Sequence, residues 1–87
     1  MTPGSRILIV EDELIVAMDI QTRLERKGYA VQGIASSGEQ AIAMVRESAP
    51  NLVLMDIKLK GEMDGIETAQ HIHDYADVPV VYMTAFA

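Results

Sequence analysis

The sequence predicts an α/β fold in which a doubly wound parallel sheet carries helices on both faces. Short apolar runs alternate with stretches of helical periodicity along the whole chain, giving the order βαβαβαβ. Strands and helices alternating at this spacing are joined by right-handed crossovers into a parallel sheet. The runs that end at Val10 and Met55 are each followed at once by carboxylates, Glu11-Asp12-Glu13 and Asp56. Ligands in such sheets bind beyond the carboxyl ends of the strands where the winding reverses. A strand order of 2-1-3-4 places both acidic groups in that crevice.

The first strand, Ile7 to Val10, is too short for a helix and rich in β-branched residues. Residues 1–5 ahead of it are polar and turn-rich, which predicts disorder. Val16, Ile20 and Leu24 recur at four-residue spacing with Ala17 beside them, predicting a helix from about Glu13 to Lys27 that Gly28 stops. Tyr29 to Ala35 is the second strand, weakened by Gly33. Ser36 as cap with Glu39 three residues on predicts the next helix start. Ala41, Ile42, Met44 and Val45 form its apolar face and Pro50 ends it before the third strand, Leu52 to Met55.

A polar loop, Ile57 to Met63, leads to Asp64, which repeats the capping spacing with Glu67. Ile66, Ala69 and Ile72 then mark the inner face of a helix reaching about Tyr75. Val78 to Met83 is the fourth strand, with Pro79 near its start where proline is tolerated.

At 87 residues the chain makes one domain, residues 1–87, with an aliphatic core, since Trp is absent and Phe occurs once. A net charge of -6 argues against direct nucleic-acid binding, which depends on Lys and Arg neutralising phosphates, and suits a divalent cation. Cysteine is absent, so disulfide and thiolate chemistry are excluded. No apolar run has the length of a signal peptide core or a membrane span, and the expectation is a soluble, cytoplasmic protein.

An acidic cluster alone is usually a solvated loop. Joined to Asp56 in the crevice, Glu11 and Asp12 make three negative charges that demand a compensating cation, a pattern suited to magnesium-assisted phosphoryl acceptance. His71 and His73, two apart on a helix, do not share a face as zinc ligands would and read as surface residues. A glycine-rich phosphate loop and a nucleophilic Ser-His-Asp or Cys-His set are both lacking.

Four features in order over nearly the whole chain resemble the receiver domain of two-component response regulators: Glu11-Asp12, Asp56, Asp64-Gly65 and Thr84-Ala85. The resemblance implies a flavodoxin-like fold and a signalling switch that catalyses its own phosphorylation without turning over an external substrate. Asp56 would take the phosphoryl group from a histidine kinase or phosphotransfer protein. Mg2+ would be held by Glu11, Asp12, Asp56 and the main-chain carbonyl of Lys58, and the Thr84 hydroxyl would bond the phosphoryl group. A downstream effector domain is implied as partner, and homodimerisation is compatible with the family.

The chain departs from the family pattern in two places. The loop from Asp56 to Asp64 is a residue longer than in the commonest receivers and lacks their usual proline, and Lys58 within it is placed to alter acylphosphate hydrolysis. The sequence also ends at Ala87, without the last helix, strand and helix of a receiver or the lysine that ends that strand. The expectation is a piece of a longer receiver, and Val80 to Met83 would otherwise form an apolar sheet edge. The alternative is a receiver-like interaction module that does not phosphorylate. A flavodoxin-like nucleotide binder is disfavoured because acids occupy the first loop.

Overall fold

The computed structural model describes residues 2–83. Its elements are β1 (Arg6–Val10), α1 (Leu14–Arg26), β2 (Ala30–Ala35), α2 (Gly38–Glu47), β3 (Leu52–Asp56), α3 (Gly65–His73) and β4 (Val80–Met83). The strands form one parallel sheet in the order β2-β1-β3-β4, as the sequence predicts. Among the described residues β2 and β4 are its edges, and no helix is long and apolar enough to cross a membrane.

Alternation along β1 builds the two layers. Leu8 and Val10 face one side, where they pack with Val53, Met55, Ala41, Val45 and Ile72 under α2 and α3. Ile7 and Ile9 face the other, against Ala17, Ile20 and Leu24 of α1. A strand covered on both faces must be apolar at every position, which is why β1 reads as a continuous run rather than an alternating one.

The helix faces differ from the sequence reading by a position or two. In α1 the inward stripe is Ala17, Ile20 and Leu24, whereas Val16 is 40% exposed. Ala17 has no bulk to hold the helix away from the sheet, so the approach is made there. In α3 the buried face is Gly65, Thr68, Ala69 and Ile72, and Ile66 points outward. Thr68 can be buried because its hydroxyl donates to the Asp64 carbonyl at 2.7 Å.

Caps explain most of the boundaries. The Tyr29 amide donates to Leu24 O and the Gly28 amide to Glu25 O, a Schellman closure of α1 that requires the positive φ of 93° at Gly28. The cap of α2 is Ser37 rather than Ser36: Ser37 Oγ accepts the Gln40 amide at 3.1 Å, and Gln40 Oε1 accepts the Ser36 amide at 2.7 Å. Asp64 and Glu67 form the reciprocal capping box expected of them at α3. Gly33 surfaces as a bulge, since Ile7 pairs with Val31 but Leu8 pairs with Gly33, leaving Gln32 as the extra residue. The loop after β3 is not wholly polar, because Leu59 is buried in the core.

Loss of the α3 cap should be measurable. Asp64→Ala is expected to lower unfolding free energy by about 1 kcal/mol in urea denaturation, and Asp64→Ser to retain most of it.

Candidate functional site

Parallel pairing of β1 with β3 runs from Ile7 opposite Leu52 to Val10 opposite Met55. The next residue on each strand is therefore an acid, Glu11 on one and Asp56 on the other. The Glu11 amide extends the ladder to Ala35 O at 2.9 Å, so the chain has not yet left the sheet when it presents its first carboxylate. Asp12 follows in the turn before α1. One oxygen from each of Glu11, Asp12 and Asp56 lies within 4.8 Å of the others.

Two of these carboxylates are held by main-chain amides two residues ahead. Glu11 Oε2 accepts the Glu13 N–H and Asp56 Oδ1 accepts the Lys58 N–H, both at 3.0 Å. Asp12 differs: its Oδ2 is buried and has no hydrogen-bond partner among the described residues. A buried carboxylate oxygen without a donor is costly unless something outside the chain satisfies it.

Burial is the main source of electrostatic stress. Glu11 and Asp56 are 9% and 8% exposed. Burial pushes the Glu11 carboxyl up from 4.5 to about 7, the neighbouring Asp12 and Asp56 carboxylates push the same way, and the Glu13 amide opposes them. The donor set is all hard oxygen, which suits Mg2+ or Ca2+ and not a soft metal. The orphaned Asp12 oxygen marks where such a cation fits.

Of the residues singled out in the sequence, the fold brings Glu11, Asp12 and Asp56 together. Lys58 reaches the site through its amide, while its side chain belongs to an exposed residue. Thr84 lies outside the described residues. Both histidines are exposed and outside the cluster, with a ring nitrogen of His73 3.1 Å from Val78 O. What sequence reasoning missed are the Glu13 and Lys58 amides that orient two of the carboxylates. The only trace of them was an acid two residues before each.

The family model described as response regulator receiver domain matches residues 7–87. The chain is 38% identical over 82 residues to the transcriptional regulatory protein PdtaR of Mycobacterium tuberculosis, covering 94% of this chain and 40% of the relative. It thus spans two fifths of that relative's length. The N-terminal domain of a response regulator/sensory box/GGDEF protein from Carboxydothermus hydrogenoformans superposes with a TM-score of 0.88 at 43% identity, over 94% of this chain and 66% of that one. The anti-anti-sigma factor PhyR of Bartonella quintana, crystallised with the anti-sigma factor NepR, superposes at 0.87 with 36% identity, over 97% and 35%.

Two outcomes follow for metal-free protein in chelator. Because folded Glu11 keeps its proton to about 7 whereas the unfolded group releases it near 4.5, the folded state binds the extra proton between these values. Stability should therefore fall as pH rises from about 4.5 to about 7 and then level off, and Glu11→Gln should flatten that slope in denaturant titrations. Asp12→Asn removes one of the clustered charges and should raise unfolding free energy at pH 7.5 by about 1–2 kcal/mol, seen as a higher midpoint of thermal unfolding.

Proposed function

Since the chain belongs to the response regulator receiver domain family, we propose that it accepts a phosphoryl group on Asp56 from a phosphohistidine donor. The observation that carries this reading is the convergence of Asp56 with Glu11 and Asp12 at the ends of two adjacent central strands, one oxygen of Asp12 being buried and without a partner among the described residues. Glu11, Asp12 and Asp56 would hold Mg2+, with the Lys58 carbonyl as a further ligand. Bound there, Mg2+ supplies positive charge against the oxygens of the entering phosphoryl group.

The remaining work falls to the chain itself. The Lys58 amide fixes Asp56 Oδ1 and with it the rotation of the carboxylate. Oδ2 is the oxygen we assign to attack on phosphorus. The new O–P bond forms as the N–P bond to the donor imidazole breaks, giving an acylphosphate on Asp56 and a free histidine on the donor. Burial of Asp56 limits water at the acceptor. Thr84 is the hydroxyl we assign to bonding the phosphoryl group, converting phosphorylation into movement of the segment after β4.

On this reading the protein is a cytoplasmic switch and not an enzyme with an external substrate. Its donor is a histidine kinase or phosphotransfer protein. Its output lies in a further domain or partner: the relatives include a transcriptional regulator and a protein crystallised with an anti-sigma factor. Direct nucleic-acid binding by this segment is disfavoured by its charge of -6.

Incubation with acetyl phosphate and Mg2+ should give one phosphoryl adduct by intact mass, absent from Asp56→Asn and from samples with excess chelator. A folded chain that forms no adduct would instead favour a receiver-like interaction module.

A further inference from the structure

We infer that Gly65 is a positioning residue for the Asp56 acceptor, an inference that rests on the phosphoacceptor reading above. Gly65 opens α3, is buried, and donates its amide to Ile57 O at 3.0 Å. Its φ does not lie in the left-handed region, so backbone freedom is not what requires glycine here. The missing side chain is. A Cβ on Gly65 would run into the Asp56 carbonyl oxygen and come within 2.9 Å of the Asp56 carbonyl carbon and of Ile57 Cα. All three are main-chain atoms, and no side-chain rotation can relieve the overlap.

The helix has no room to retreat. One turn on, Thr68 is fully buried, and its Oγ1 sits where a Cβ on Gly38 would stand, at the start of α2. The capping box at Asp64 and the bond from Thr68 Oγ1 to Asp64 O tie the same turn together. The first turn of α3 is thus wedged between the end of β3 and the beginning of α2. A side chain at position 65 would displace the Asp56–Ile57 peptide. That peptide carries the nucleophilic carboxylate and leads into the Lys58 amide that orients it. Asp56 would move relative to Glu11 and Asp12, which follow a different strand, β1, and are not displaced with it.

The test compares Gly65→Ala with Ile72→Val, a core substitution at the far end of the same helix. Both are assayed folded by circular dichroism, with trimethylamine N-oxide added where needed. The first readout is Mn2+ binding followed by the paramagnetic resonance of the free ion, a probe of the carboxylate cluster that needs no phosphorylation. The second is the rate of adduct formation with acetyl phosphate at saturating Mg2+.

Gly65→Ala should weaken Mn2+ binding about tenfold and slow phosphorylation about 10- to 100-fold, the scale set by small misplacements of a reacting group. Ile72→Val should stay near wild type in both. Equal behaviour of the two variants overturns the inference. So does a Gly65→Ala chain that remains unfolded, since Gly65 would then serve folding alone. Wild-type protein that binds Mn2+ without taking a phosphoryl group overturns the phosphoacceptor reading instead, and the metal readout still decides the place of Gly65.

Discussion

Three carboxylates are forced together by the pairing of β1 with β3, and the surrounding structure is arranged to tolerate that repulsion. The sheet leaves little choice: in-register parallel strands end side by side, and the residues that follow inherit the proximity. Two neutral donors, the Glu13 and Lys58 amides, each take up one carboxylate oxygen, and Glu11 eases the remainder by holding its proton to about 7. Asp12 Oδ2 has no such donor among the described residues. The fold therefore spends some stability at this end of the sheet to keep a site that a cation completes.

The opposite end of the sheet is arranged differently. The Arg6 amide donates to Asn51 Oδ1 and the Asn51 amide to Arg6 O, at 2.7 and 2.8 Å, joining β1 to the residue before β3. The Arg6 guanidinium reaches Gln32 and Ser48, at 3.2 and 3.3 Å, tying in the bulge of β2 and the end of α2. On the α2 and α3 side, Arg46 lies 4.1 Å from the centre of the Tyr75 ring and bonds its hydroxyl. Polar groups are satisfied where strands begin and left in tension where they end.

Much of this was legible in the sequence. Continuous apolar runs named the central strands, and acids at the ends of two of them named the site, because burial on both faces and a shared edge leave those marks directly. What escaped depended on choices between near-equivalent positions. Ser36 with Glu39 and Ser37 with Gln40 both satisfy the capping spacing one residue apart, and the fold takes the second. Ile66 outranks Thr68 on any hydrophobic scale, yet Thr68 is buried because a local carbonyl accepts its hydroxyl. Leu59 was hidden in an irregular loop, where burial has no period to betray it.

That leucine has a consequence for where the loop can take up extra length. The segment between acceptor and helix is anchored near its start, at Leu59, and again at Met63 and Asp64, so its unanchored span is the three exposed residues 60–62. Gly61, with φ of 110°, turns the chain there. A residue inserted there would fall between two moorings, with Leu59 standing between it and Asp56. Length added there would lie outside the contacts that hold the acceptor.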